Sequence, residues 1–211
     1  MKNIPTLIGI AGGSGTGKST LVFTLLDRYP DKFAVVHLDD YFQKRERIPV
    51  VDNMTNWDHP DAIRWDELVR DLTTLRSGRS TEVLTKSERL NPEYRDKGKK
   101  LITITPKPMI LVEGFLTLWH PKVRALLTTS IYLETKDEQL RLGRRATHRQ
   151  QFRAKPKEGY DDDAYVKKIL LPMHEQFLYP TKQCAGRILD VTGMTPDEVA
   201  DRVEQFLTLD K

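Results

Sequence analysis

Cysteine is almost missing from this sequence: Cys184 stands alone among 211 residues. That excludes an internal disulfide and any cysteine-rich zinc site. No apolar run approaches the roughly 20 residues that a membrane span needs. The opening stretch MKNIPT passes straight into an apolar segment, so no secretory signal is expected. Acidic side chains are missing from one place in particular. None lies between Gln139 and Lys157, a stretch that carries Arg141, Arg144, Arg145, Arg149, Arg153, Lys155 and Lys157. Elsewhere the signs are intermixed and the net charge is only +4. A nucleic-acid reader needs a broader basic face with aromatics between the charges. One short arginine-rich segment suits closure over a polyphosphate better. With 38% hydrophobic and 30% charged residues, the expectation is a single cytoplasmic domain over 1–211. It should act on a small molecule, with neither nucleic acid nor membrane as a partner.

What the sequence does contain is Gly12-Gly13-Ser14-Gly15-Thr16-Gly17-Lys18-Ser19-Thr20. This fits G-x-x-x-x-G-K-[ST], the loop that cradles nucleotide phosphates. Its glycines let backbone N–H groups converge on phosphate oxygens. Lys18 can reach the β- and γ-phosphates, and the Ser19 hydroxyl can ligate Mg²⁺. Upstream, Leu7 to Ala11 is an apolar run suited to a buried parallel strand. Downstream, Leu21, Val22, Leu25 and Leu26 recur at helical spacing, so a helix N-terminus faces the phosphates. A nucleoside triphosphate is the implied ligand.

The rest alternates strand and helix, which predicts an α/β fold: a P-loop NTPase with a doubly wound parallel sheet, helices on both faces and a mobile lid. Phe33 to Leu38, Met109 to Val112, Ser130 to Leu133 and Arg187 to Leu189 read as further strands. Trp65, Leu68, Val69, Leu72 and Leu75 form a helical stripe. Thr135 with Glu138 and Thr195 with Glu198 read as capping boxes, the second with Pro196 at the first helical position. Thr85 to Lys100 is polar and Leu101 to Thr105 alternates, so a projecting loop or hairpin is expected near 80–105. A lid is expected near 141–163, where Pro156 and Gly159 interrupt a polar stretch.

Ligands of open parallel sheets sit beyond the carboxyl ends of the strands. Asp39-Asp40 and Glu113-Gly114 close two of the apolar runs. Phosphoryl transfer needs a carboxylate that takes the acceptor's proton and an acidic residue on the metal side. Asp39 fits the first role and Glu113 the second, while Asp40 alternates away and is expected to cap the following turn.

Five ordered stretches carry a family resemblance. His37-Leu38-Asp39-Asp40-Tyr41-Phe42 resembles the Q-D-S-F-Y stretch of uridine kinases and nicotinamide riboside kinases. Asn56-Trp57-Asp58-His59-Pro60-Asp61-Ala62 is similar to the uridine kinase signature N-F-D-H-P-D-A. Ile110 to Leu116 looks like I-L-E-G-I-L, Leu140 to Arg149 like the L-A-R-R-x-x-R-D lid, and Pro172 to Lys182 like P-M-H-E-Q-F-x-x-P-T-K. The resemblance implies ATP and Mg²⁺ as cofactors and transfer to a nucleoside-like small molecule. It implies that Asp39 is the base and a water-mediated partner of Mg²⁺, and that Asp58 holds ribose hydroxyls. Tyr41, Phe42 and Trp57 would wall the acceptor site, and Arg145 and Arg153 would reach over it from the lid. Homo-oligomers are common in the family. The chain departs from uridine kinases at Val83 to Arg89, where their Y-D-F-x-x-H-x-R reads the pyrimidine, and His148 stands at a lid arginine's place. Nicotinamide riboside, pantothenate or a sugar phosphate therefore stay open as acceptors. So does a catalytically silent ATP-binding regulator, although Lys18, Ser19, Asp39 and Glu113 are all present.

Overall fold

Apolar runs buried on both faces form the centre of the molecule. A computed structural model describes residues 4–152 and 161–208. Its main sheet contains β1 (Thr6–Gly12), β2 (Phe33–His37), β7 (Met109–Glu113), β8 (Thr129–Glu134) and β9 (Arg187–Asp190). All pair in parallel, in the order β2-β7-β1-β8-β9. Strand order reverses at β1, so the crevice at its carboxyl end is where a ligand belongs. Side chains alternate between two cores. Ile8, Ile10, Leu111, Ile131 and Leu133 pack against α1 (Lys18–Arg28) and α8 (Pro196–Leu207). Leu7, Ala11, Ile110, Val112 and Tyr132 pack beneath α2 (Trp65–Arg76) and α4 (Pro121–Leu126). Each such burial contributes about 1.5–3 kcal/mol relative to exposure. Helices on both faces of a parallel sheet are the doubly wound arrangement that the alternation predicts.

The terminal helix α8 opens with the predicted capping box. The Thr195 side chain accepts from Glu198 N–H and the Glu198 carboxylate accepts from Thr195 N–H. The box predicted at Thr135 does not form. α5 (Glu138–Phe152) is capped by Asp137, whose Oδ1 accepts from Leu140 N–H at 2.8 Å. Thr135 instead accepts from Asp137 N–H and faces the Thr192 hydroxyl. A carboxylate two residues nearer the helix reaches its free N–H groups and displaces the threonine.

Beside the main sheet lie a two-residue ladder, β3 (Val50–Val51) with β4 (Met54–Thr55), and an antiparallel ribbon, β5 (Thr81–Thr85) with β6 (Lys100–Ile104). The ribbon's tip, 86–99, includes the short α3 (Tyr94–Lys97). Two buried carboxylates hold its base. Asp71 accepts from Tyr41 O–H, Arg70 Nε and Thr81 O–H. Asp40 accepts from Lys86 N–H at 2.8 Å. Asp40 thus holds a distant segment and does not cap the turn that follows it. After α6 (Asp162–Tyr165) the chain continues in helical turns through α7 (Leu171–Met173) to Cys184. Wide π-type turns flank Pro172, which has no N–H to give to a regular ladder. No helix among the described residues is long and apolar enough to cross a membrane.

Candidate active site

The phosphate loop joins β1 to α1, and its shape depends on glycine at two close approaches. Gly12 has φ +142°, and a Cβ there would lie 2.4 Å from the Leu133 carbonyl oxygen. Gly15 has φ +88°, and a Cβ there would lie 2.2 Å from the Arg141 carbonyl oxygen. The loop is closed internally by Thr16, whose hydroxyl donates to Gly13 O at 2.8 Å, and by Lys18 Nζ, which donates to the same oxygen at 3.1 Å. Arg141 lies across it. This buried side chain donates from Nη1 to Ser14 O at 2.9 Å and packs on Gly13. On the α8 side, a cleft of about 230 Å³ opens between Leu21, Arg144, Val191, Met194, Pro196 and Val199. Its mostly apolar walls beside the phosphate loop suit a nucleotide base.

At the strand ends, Ser19 Oγ donates to Glu113 Oε1 at 3.2 Å, and His37 Nδ1 lies 2.8 Å from the same oxygen. Burial alone would lower the His37 pKa, but the hydrogen bond and charge of Glu113 outweigh it, and the pKa is raised. Lys18 is shifted down by desolvation, resisted by Glu113 and Asp39 and more weakly by Asp58. All three predicted carboxylates thus favour the charged form of this one ammonium. Mg²⁺ commonly takes one or two carboxylates and completes its shell with substrate phosphates and water. A hydroxyl beside a carboxylate at the phosphate loop fits that pattern. Among the described residues no three His, Cys, Asp or Glu side chains form a protein-only cage.

The acceptor side is built from β2's end and the segment around Asp58. Residues Leu38–Tyr41 form a 3₁₀ turn. With three residues per turn, Asp39 and Phe42 fall on one side, and Leu38 and Tyr41 on the other. Tyr41 is therefore core, contrary to the sequence expectation. It is 1% exposed and its hydroxyl donates to Asp71 at 3.0 Å, and burial pushes its pKa far up. Phe42 and Trp57 remain half-buried and meet edge to face at 5.3 Å, with Phe115 stacked on Phe42 at 6.5 Å. Asp58 accepts from Tyr165 O–H at 2.6 Å, and its other oxygen lies 3.7 Å from His174 Nε2. His174 is buried, which lowers its pKa despite Asp58. Lys86 Nζ lies 3.3 Å from Asp39 Oδ2 and 4.6 Å from the Phe42 ring centre.

Of the two lid arginines expected, Arg145 is turned to the acceptor side, not to the phosphate loop. It pairs with both oxygens of Asp162 at 3.1 and 2.9 Å and lies over the Tyr165 ring. Arg153 and the centre of the expected lid, 153–160, lie outside the described residues. Sequence reasoning missed Arg141 as the arginine that touches the phosphate loop, although it opens the acid-free run. It also missed Phe115, Lys86, Tyr165 and His174. Of these, Phe115 and His174 lie in recognised stretches, and nothing in the spacing links Lys86 or Tyr165 to Asp39 or Asp58.

Comparison with known proteins adds to this geometry. Residues 7–196 match the model of the Phosphoribulokinase / Uridine kinase family. The chain is 33% identical over 190 residues to the uridine kinase of Macrococcus caseolyticus, covering 89% of each chain. Two solved structures share the fold at low identity. A possible uridine kinase from Bacillus stearothermophilus superposes with a TM-score of 0.61 at 15% identity, over 88% of this chain and 89% of that one. Phosphoribulokinase from Rhodobacter spheroides gives 0.64 at 10% identity, over 87% and 69%.

Proposed function

The chain belongs to the Phosphoribulokinase / Uridine kinase family of kinases, and from that membership we propose that it moves the γ-phosphate of ATP to a hydroxyl of a nucleoside-like, ribose-containing small molecule. The observation that carries this reading is the Ser19–Glu113 contact of 3.2 Å at the phosphate loop, with Asp39 just past the end of the neighbouring strand β2 and Asp58 held by Tyr165. One carboxylate serves the donor, one the reacting hydroxyl, and one the body of the acceptor.

The roles divide as follows. The glycine loop and Lys18 hold the β- and γ-phosphates, with Arg141 bracing the loop from above. The apolar cleft beside α8 takes the base. Ser19 and Glu113, with Asp39 acting through water, would hold Mg²⁺, which when bound neutralises charge across the β- and γ-phosphoryl oxygens. Asp39 orients the acceptor hydroxyl and takes its proton as the oxygen attacks phosphorus. Asp58, steadied by Tyr165, accepts from adjacent hydroxyls of the sugar, while Phe42 and Trp57 form the wall. Arg145, paired with Asp162 and lying over the Tyr165 ring, closes the acceptor side.

An ADP-release assay over a panel of acceptors tests the reading, with Asp39→Asn as its control. The variant is expected to bind ATP within about twofold of wild type and to lose roughly 100-fold or more in turnover. Undiminished turnover would remove Asp39 from its role. Tight ATP binding without transfer to any acceptor would favour a silent regulator instead.

A further inference from the structure

His37 stands where an apolar side chain would be expected. Phe33, Val35 and His37 alternate onto one face of β2, and the first two belong to the core that α1 covers. His37 ends that row and is buried as well, with Phe23 of α1 lying 5.7 Å from its ring. Its Nε2 has no hydrogen-bond partner among the described residues. A buried polar atom without a partner costs stability, so the histidine calls for a reason. The other ring nitrogen supplies it. His37 and Glu113 end neighbouring parallel strands at the same register position, so their side chains leave the sheet on the same face. Nδ1 lies 2.8 Å from Glu113 Oε1, and because an ionised carboxylate only accepts, Nδ1 is the donor.

Glu113 gains from such a partner. Its side chain has several rotatable bonds and reaches from a strand end towards the phosphate loop, so holding it still costs conformational entropy. Ser19 Oγ shares Oε1 at 3.2 Å, but that hydroxyl is also the one a cation would claim. The shorter bond, from a ring buried beneath Phe23, is the one that does not depend on the cation. With both protein donors on Oε1, Oε2 is left for a cation or its water. We propose that His37 is a positioning residue for the donor side: its Nδ1–H holds Glu113 beside Ser19, so that the carboxylate is set for Mg²⁺ before cation and nucleotide arrive. This inference rests on the kinase reading above, which places Glu113 on the metal side. Partners that orient a metal-binding group typically contribute about tenfold to hundredfold in metal affinity.

Calorimetric titration with a non-hydrolysable ATP analogue, once with Mg²⁺ and once with EDTA, tests it without requiring turnover. The ratio of the two dissociation constants isolates what the cation adds. His37→Ala is expected to reduce that ratio about tenfold or more, while the constant in EDTA stays within about twofold of wild type. His37→Asn keeps an N–H at the Nδ1 position and should restore most of the ratio. His37→Gln carries its amide at the Nε2 position, away from Glu113, and should not. These two variants separate the hydrogen bond from the filling of space beneath Phe23, and they decide the matter by themselves if His37→Ala does not fold. In a Glu113→Gln background, His37→Ala should change the ratio no further. An unchanged ratio in His37→Ala overturns the proposal, as do a loss that appears equally in EDTA, no rescue by Asn, and equal rescue by Asn and Gln. Failure of the underlying reading looks different. A wild type that binds the analogue equally with Mg²⁺ and with EDTA removes Glu113 from the metal side and the proposal with it. A wild-type Mg²⁺ effect that survives in His37→Ala removes His37 alone.

Discussion

The two halves proposed for this site, donor and acceptor, are built on different principles. The donor half is backbone: a glycine loop between β1 and α1, braced by the Arg141 guanidinium and carbonyl, with tolerances set by approaches of 2.2 to 2.4 Å at two missing Cβ atoms. The acceptor half is side chain: Asp39, Phe42, Trp57, Asp58, Lys86 and Tyr165 arrive from four separate segments and meet only in the folded molecule. Backbone construction suits one ligand class, because converging N–H groups match phosphate oxygens. Side-chain construction lets single substitutions change what is recognised while the chemistry stays the same.

That contrast can be tested from both sides. The largest effect is expected from Gly15→Ala, which forces a Cβ into the Arg141 carbonyl at a left-handed φ. Strain of a few kcal/mol there should weaken ATP binding by about 100-fold, measured by titration. Acceptor affinity should change far less. Next comes Asp58→Ala, for which the acceptor KM should rise about tenfold or more while ATP affinity stays within about twofold. A matching loss of ATP affinity would mean that the two halves are not separable. Tyr41→Phe should cost about 1 kcal/mol in denaturant unfolding, because Asp71 loses one of three donors, and leave the acceptor KM unchanged. A raised KM would return Tyr41 to the acceptor wall.

The smallest effect concerns His174, whose folded pKa lies below its ordinary 6.5. Between those two values the unfolded chain binds more protons, so stability falls as pH drops through about 6.5 and is flat above it. His37, with its raised pKa, acts in the opposite sense: its contribution is full below 6.5 and fades as pH rises through the folded value. The melting-temperature difference between wild type and His174→Gln should therefore be constant towards pH 7.5 and shift in the variant's favour towards pH 5.5, as the wild type loses more.

Much of the donor half was legible because its signals are contiguous. The glycine loop, the apolar run before it and the helical spacing after it lie within residues 7–26, and Glu113 directly ends an apolar strand. Asp39 was legible for the same reason. Tyr41 was misread because resemblance assigns neighbouring aromatics together, whereas the three-residue period of a 3₁₀ turn separates Tyr41 from Phe42. Arg145 and Arg141 lie in the same basic run, and only helix phase decides that the latter reaches the phosphate loop. Lys86 and Tyr165 were invisible because their partners lie 47 and 107 residues away in the chain, joined by tertiary packing that no local pattern encodes.

The two buried carboxylates at the base of the β5–β6 ribbon have a consequence for how such a site can diversify. Asp71 grips the ribbon where it begins, through Thr81, and Asp40 grips the residue just after β5, through a backbone N–H. Both anchors are independent of the side chains between 87 and 99. Within that span, Leu90 packs on the core beside α1 and the buried Asn91 donates to Gly98 O, so the tip is seated on the body as well. The direction in which residue 86 points is meanwhile inherited by whatever replaces it. Such a clamp fixes where residue 86 points, so an exchange at that one position would present a different side chain beside Asp39 while the strands stay as they are.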